Sequence, residues 1–145
     1  MSEYKKTFNG IADAVITDAI VFSATPVGKG HAIPKHVFTA SAAWDTGSQF
    51  TLISQHIVEQ LDLKPHAEGM IMGIGGDQKA ETYIVHIGLP TGDMVQDLEV
   101  YCSDIDDYDV LIGMDIISLC DFFVTNKDET TELFVRIPSE GRILQ

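Results

Sequence analysis

The sequence contains few cysteines and no long apolar run. Two cysteines among 145 residues are too few for a disulfide framework or a four-cysteine zinc site, so we expect reduced thiols in a cytoplasmic protein. No apolar stretch approaches the ~20 residues that cross a bilayer, and we therefore expect no association with a membrane. The lysines near the start are not followed by an apolar segment, which argues against a secretory signal.

Basic residues are scarce relative to acidic ones. Nine lysines and arginines stand against 22 aspartates and glutamates, and the net charge is −13. A surface of this charge repels phosphate groups over a Debye length of about 8–10 Å. The composition therefore excludes nucleic acid as an expected partner.

Helical periodicity is also scarce, and short β-prone runs dominate the chain. Strands are predicted at 7–17, 18–24, 37–44, 95–102, 110–112, 122–125 and 132–137, with a glycine-rich hairpin across 69–87. Two short helices are predicted, at 54–61 with Ser54 as the N-cap and at 114–120. We expect a single all-β domain over residues 1–145, with a flexible tail at residues 1–6.

One aspartate directly follows a predicted strand, in the sequence Asp45-Thr46-Gly47-Ser48. Gly47 permits a tight turn in which backbone N–H groups point back at the Asp45 carboxylate. The hydroxyls of Thr46 and Ser48 can add hydrogen bonds. The pattern predicts a rigidly held carboxylate, although the tetrapeptide alone is a weak signal and is more typical of an ordinary aspartate at a strand-to-turn junction.

Three segments give this aspartate a context. Asp45-Thr46-Gly47-Ser48 resembles the catalytic loop of aspartic proteases, and residues 70–76 resemble the glycine-tipped flap of their retroviral branch, the retropepsins. Residues 108–115 are similar to the second signature of that family, and residues 134–138 to bacterial members. The resemblance implies a closed acid-protease barrel of the bacterial and cellular branch. It also implies an aspartic endopeptidase that needs no cofactor.

A second Asp-Thr-Gly or Asp-Ser-Gly is absent from the sequence. Peptide hydrolysis by carboxylates needs one ionised group as the base toward water and one protonated group as the acid toward the scissile carbonyl. Two carboxyl groups about 3 Å apart share a proton in this way. The second Asp45 must therefore come from a second copy, in a homodimer with twofold symmetry.

The resemblance assigns roles to individual residues of that dimer. Asp45 would hold the attacking water, Thr46 would hydrogen-bond across the interface, and Gly47 would direct its backbone toward the carboxylates. Gly113, beside the last residue of strand 110–112, would help to form the wall beneath the loop. The expected substrate is an extended peptide that pairs with the flap as an added strand. The residues expected to contact it or to form the flap are Ser48, Met72, Gly73, Ile74, Gly75, Gly76 and Ile112.

Two features depart from the retroviral pattern. Met114 and Asp115 stand where retroviral members carry an arginine, and residues 139–145 extend past Pro138. Dimerisation could thus use contacts other than interleaved chain ends. Two alternatives stay open from the sequence: a non-catalytic peptide-binding or dimerisation domain with the same fold, and another small β protein with a chance Asp-Thr-Gly.

A metal site is not expected. The acidic residues of segment 104–109 lack the glycine and glutamate positions of a calcium-binding EF-hand loop. The five histidines are scattered without an i, i+4 pair. Cys102 and Cys120 are expected to pack in the interior rather than to act as nucleophiles, and Trp44 is expected in the core or in a pocket wall.

Overall fold

The computed structural model describes residues 2–24, 37–73 and 75–141. They form ten strands and two short α-helices. The strands are β1 (Ser2–Thr7), β2 (Ile16–Ser23), β3 (Val37–Trp44), β4 (Leu52–Ile53), β5 (Ala67–Gly73), β6 (Gly76–Gly88), β7 (Met94–Cys102), β8 (Val110–Ile112), β9 (Asp121–Thr125) and β10 (Glu132–Ile137), and the helices are α1 (Gln55–Gln60) and α2 (Met114–Ile117). The all-β class with two short helices is confirmed.

The main sheet has seven strands in the order β2-β3-β8-β4-β7-β6-β5. Strand β2 pairs with β6 as well as with β3, so six of these strands form a ring and β5 extends from it. The β3–β8 and β4–β7 pairs are parallel and the other pairs are antiparallel. Because β3 and β8 run side by side, their carboxyl ends meet at the same edge, where Asp45 and Gly113 follow.

Much of the core is built from alternating positions of these strands, and Leu133 and Val135 of β10 belong to the same cluster. In β2 the side chains of Thr17, Ala19, Val21 and Ser23 are buried while their neighbours are more exposed, as expected for a half-buried strand. Trp44 belongs to the core: its indole Nε1 donates to Thr17 Oγ1 at 2.9 Å. The buried Trp44 ring is thereby both packed and satisfied.

The first helix follows the prediction closely. Ser54 is its N-cap, and the Ser54 hydroxyl oxygen accepts the N–H of Ile57 at 3.4 Å. The second helix is shorter than predicted, because Leu119 and Cys120 donate to carbonyls three residues back and close it as a tight turn. No helix in the described ranges is long and apolar enough to span a membrane.

The expected flexible tail at residues 1–6 is wrong. Strand β1 pairs with β10 in antiparallel register, and β10 pairs with β9 in a second, three-stranded sheet. Lys5 forms an ion pair with Glu132 at 3.0 Å, and Tyr4 packs against the core. The sequence gives little indication of this strand, because β1 consists mainly of charged and polar residues and Tyr4 is its one aromatic residue. The predicted strand at 7–17 is also wrong, since β2 begins at Ile16.

A buried carboxylate fastens the segment after β10 to β9. Asp121 accepts hydrogen bonds from Ser139 Oγ at 2.6 Å, from the Glu140 N–H at 2.8 Å and from Arg136 Nη2 at 2.6 Å. These donors, the Ser139 hydroxyl foremost, hold the pKa of Asp121 well below its usual range. Residues 139–141 are thereby held against the three-stranded sheet.

This arrangement predicts a specific acid sensitivity. A carboxyl group whose pKa is lower in the folded than in the unfolded chain stabilises the fold above its unfolded pKa, and this contribution is lost as the pH falls. Asp121→Asn should therefore lower Tm at pH 7, and the difference from wild type should shrink as the pH drops below about 4. Thermal unfolding of both proteins from pH 7 to pH 2 measures this, and a difference that is constant with pH would contradict it.

Candidate active site

Asp45 is the first residue after β3 and begins a tight turn. Its N–H donates to the carbonyl of Ile112 at 2.8 Å, which ties it to the end of β8. The Gly47 N–H donates to Asp45 Oδ1 at 2.8 Å, and the Ser48 N–H donates to the Asp45 carbonyl at 3.2 Å. The half-buried carboxylate is therefore held by one backbone N–H, that of Gly47, while the Asp45 backbone is fixed by Ile112 and Ser48.

The junction between β8 and α2 lies directly beneath this turn. The Met114 N–H donates to the Ser48 carbonyl at 2.7 Å. A Cβ atom on Gly113 would stand 2.5 Å from the Phe50 carbonyl oxygen and 2.8 Å from that of Ser48. Only glycine permits this approach of two backbones. Ile112, whose carbonyl accepts the Asp45 N–H, is fully buried.

Asp115 supports the loop in a way that was not anticipated from the sequence. Its carboxylate accepts the Thr51 N–H at 2.9 Å and the Thr51 hydroxyl at 2.7 Å. The same hydroxyl oxygen accepts the Gly113 N–H at 3.2 Å. Asp115 thus connects the start of α2 to the segment after the Asp45 turn. The sequence feature that could have indicated this role is an acidic residue, Asp115, in the first turn of the helix that follows Gly113.

The other two loop residues have distinct positions. The Ser48 hydroxyl donates to the Phe50 carbonyl at 2.7 Å, so it braces the loop backbone and does not reach the Asp45 carboxylate. Thr46 is exposed at the tip of the turn. It lines an open cavity together with Phe122 and Phe123 of β9.

The predicted flap is an antiparallel hairpin formed by β5 and β6. Its last pair is Gly73 with Gly76, and Gly76 has a φ of +103°, which favours glycine. Met72 is 85% exposed near the end of the hairpin. Gly75 lies at the bend, and Ile74 lies outside the described residues.

The Asp45 turn and the β5–β6 hairpin face each other across a cleft of about 420 Å³. Its apolar walls come from Phe50, Leu52, Leu111 and three consecutive flap residues. The complete lining is Asp45, Gly47, Ser48, Gln49, Phe50, Leu52, Met70, Ile71, Met72 and Leu111. Three elements that are distant in sequence therefore surround one carboxylate.

A family model described as aspartyl protease matches residues 36–116, which are 81 of the 145 residues. The chain belongs to the aspartyl protease family. No curated protein sequence matches it. Among solved structures, the EIAV protease complexed with the inhibitor HBY-793 is similar at a TM-score of 0.55 and 16% identity, over 77% of this chain and 91% of that one. A retropepsin-like aspartic protease from Rickettsia conorii is similar at 0.56 and 13%, over 92% and 93%.

The fold agrees with membership of the aspartyl protease family, because the similarity to each of these two solved structures extends over most of the length of that structure. At 16% and 13% identity they show the retropepsin-like fold. Of the residues expected to form the flap or contact substrate, Ser48 and Met72 line the cleft. Leu111 takes the place expected for Ile112, because neighbouring strand residues face opposite sides.

The two thiols do not supply an alternative nucleophile. Burial raises the pKa of Cys102, and burial together with the nearby Asp121 carboxylate raises the pKa of Cys120 to about 11. Both thiols are therefore protonated at neutral pH, and the thiolate is the nucleophilic form. Within the described part of the chain, no cluster of three possible metal ligands occurs.

Proposed function

We propose that the protein is an aspartic endopeptidase that works as a homodimer, with one Asp45 carboxylate from each copy. The observation that carries this proposal is the Asp45 carboxylate fixed at 2.8 Å by the Gly47 N–H and facing a cleft below a flap. One copy provides one such acid, whereas the chemistry needs two. Twofold pairing is the simplest way to supply the second.

In the proposed reaction a water molecule lies between the two Asp45 carboxyl groups. The ionised carboxylate takes a proton from this water as it attacks the scissile carbonyl carbon, and the protonated carboxyl group donates its proton to the carbonyl oxygen. The resulting gem-diol intermediate collapses when the carboxyl group that took the proton of the water donates it to the leaving nitrogen and the other carboxylate takes a proton from one hydroxyl group, which restores the starting protonation states. The flap would exclude bulk water and would pair with the peptide backbone as with an added strand.

The cleft supports an extended peptide with a bulky apolar side chain as the substrate. Phe50, Leu52 and Leu111 form one apolar wall, and Met70 and Met72 of the flap form another. Methionine side chains adapt to ligands of different shape. Neither a cofactor nor a metal takes part in this mechanism.

We propose that the two copies pair through the outer edge of β9, with which no other strand of the described residues pairs. The three-stranded sheet has β1 and β9 at its edges. Strand β1 carries Glu3, Lys5 and Lys6, and charges of this kind protect an edge against association. The single ionisable side chain of β9, Asp121, is engaged by Arg136. Strand β9 therefore presents an uncharged edge.

The location of this edge supports its role in the dimer. Phe122 and Phe123 of β9 share a cavity with Thr46 at the tip of the Asp45 turn. Antiparallel pairing of β9 with the β9 of a second copy is isologous. It would bring the two Thr46 loops together beside the twofold axis and would place both Asp45 turns at one site.

Val124→Lys tests this interface. Val124 is 39% exposed on β9, and a lysine there would place like charges from the two copies close to each other. We expect the dimer Kd to rise by about tenfold or more, with a parallel loss of specific activity and no loss of fold. Analytical ultracentrifugation and peptide cleavage at matched concentrations measure both.

Thr7→Lys is the matched control, because it adds the same charge to the opposite edge strand at an exposed position. It should leave association and cleavage unchanged. If Val124→Lys remains dimeric and active, β9 is not the interface, although the protease proposal stands.

The activity itself is tested with a complex peptide library. Incubation at pH 3–8, followed by mass spectrometry of the products, should show new termini flanking apolar residues, with the highest rate at acidic pH because one carboxyl group must stay protonated. The rate per chain should fall on dilution through the dimer Kd. A dimer that binds peptides across this range and cleaves none would favour the non-catalytic alternative.

We also propose a cytoplasmic location. Both cysteines are free thiols, Cys102 partly exposed and Cys120 buried. Free thiols persist in the reducing cytoplasm.

A further inference from the structure

The ring of Tyr101 fills the place that a side chain would occupy at Gly69. Tyr101 lies on β7, opposite Thr82 of β6, and its ring reaches past β6 to β5. A Cβ atom on Gly69 would stand 2.5 Å from Tyr101 Cε2 and 2.9 Å from the Tyr101 hydroxyl oxygen. The strand backbone therefore rests against the aromatic ring, an arrangement that compensates for glycine in a sheet.

The same ring also contacts the segment that follows the Asp45 turn. Phe50 stacks on Tyr101 with 4.8 Å between ring centroids and an interplanar angle of 28°. The Tyr101 N–H donates to the Thr51 carbonyl at 3.1 Å. Because Phe50 lines the Asp45 cleft, Tyr101 connects the floor of the cleft with the base of the flap.

Strand β5 has little other support at this point. It is the last strand of the seven-stranded sheet, and among the described strands it pairs with β6 alone. Gly69 immediately precedes Met70, Ile71 and Met72, the three flap residues that line the cleft. A change in the contact at Gly69 would therefore move the cleft-facing part of the flap.

We infer that Tyr101 is a positioning residue whose ring, resting against the Gly69 backbone, sets the height of the flap above Asp45. This inference rests on the proposed protease function for its effect on substrate, while the flap support itself is a property of the free protein. Gly69→Ala removes the close approach, because no Cβ atom can stand 2.5 Å from a ring carbon. Either β5 must lift or the Tyr101 ring must move against Phe50.

Hydrogen–deuterium exchange of the full-length protein without substrate tests the support. In Gly69→Ala the amides of residues 70–73 and 75–80 should exchange about tenfold faster than in wild type, because the hairpin opens more often. Tyr101→Ala should have the same effect by removing the ring. Glu68→Ala is the matched control, since it alters the neighbouring exposed residue of the same strand and should leave exchange unchanged.

Peptide cleavage adds a readout that a general loss of stability would not give. For Gly69→Ala we expect KM to rise about tenfold with kcat changed less than about threefold, because the flap contributes to substrate binding and the carboxylates are untouched. Tyr101→Phe keeps the ring and should therefore have a KM close to that of wild type. The double variant Gly69→Ala with Tyr101→Ala should be no worse than Tyr101→Ala alone, since the two changes remove one contact.

The outcomes separate this inference from the proposed function. If flap amides exchange faster in Gly69→Ala and Tyr101→Ala but neither wild type nor the variants cleave peptides, Tyr101 positions the flap and the protease proposal is wrong. Wild-type exchange and KM in both variants, in an active enzyme, would overturn the role of Tyr101 and leave the protease proposal intact. Effects of the two substitutions that simply add would also contradict a shared contact.

Discussion

Asp45→Asn should abolish peptide cleavage while leaving a folded dimer. An amide cannot accept the proton of the attacking water, so kcat/KM should fall by at least ~10³-fold, the scale of lost general acid–base catalysis. The Gly47 N–H, which donates to Asp45 Oδ1 at 2.8 Å, can donate equally to an amide oxygen, and the turn should persist. Cleavage assays together with circular dichroism and ultracentrifugation measure the two expectations.

Asp106→Asn is a matched control for the loss of one charge, since Asp106 is exposed in the loop before β8. It should cleave at the wild-type rate.

Mixing experiments give a sharper test of shared catalysis. After exchange of equal amounts of wild type and Asp45→Asn, about one quarter of the dimers would carry two Asp45 residues, and activity should fall to about half of the unmixed value. Activity surviving in pure Asp45→Asn would refute the assignment.

Gly113→Ala should have the largest effect on stability. Its Cβ would meet the Phe50 carbonyl oxygen at 2.5 Å, and both partners are backbone groups near the hydrogen bond that Met114 N–H donates to the Ser48 carbonyl. The clash can be relieved only if the Asp45 turn and α2 move apart. We expect the free energy of unfolding to fall by about 3 kcal/mol or more, measured by denaturant unfolding.

Gly75→Ala is the stability control for this substitution, since nothing lies within 4 Å of the Cβ position there. Its effect on unfolding should stay below about 1 kcal/mol. If Gly113→Ala is as stable as Gly75→Ala, the contact between the β8–α2 junction and the Asp45 turn is not what holds the turn.

The parts of the fold that follow from local pattern could be predicted from the sequence. The strand before Asp45 ends where its apolar run ends, and α1 begins one residue after Ser54, whose hydroxyl oxygen caps it. Gly76 and Gly113 could be singled out because Gly76 has a φ of +103° and Gly113 makes a close backbone approach, and both features require glycine. These features depend on residues that are near each other in the chain.

The parts that could not be predicted depend on pairing across long distances. The Thr51–Asp115 and Gly69–Tyr101 contacts join residues that the sequence does not associate. The cleft-lining role of Leu111, in place of Ile112, follows from the face that β8 presents inside the ring. Strand β1 was missed because its stability comes from β10, more than one hundred residues later.

The pairing of β1 with β10 inside one chain bears on how the proposed homodimeric protease would be controlled. Each protomer completes its terminal sheet by itself, so it does not need to borrow a strand in order to fold. Synthesis of the chain and assembly of the catalytic pair are then separate steps. The concentration of the chain in the cell would then control the proposed activity. At low concentration the protomers would be folded and inactive, and at higher concentration they would pair and cleave peptides.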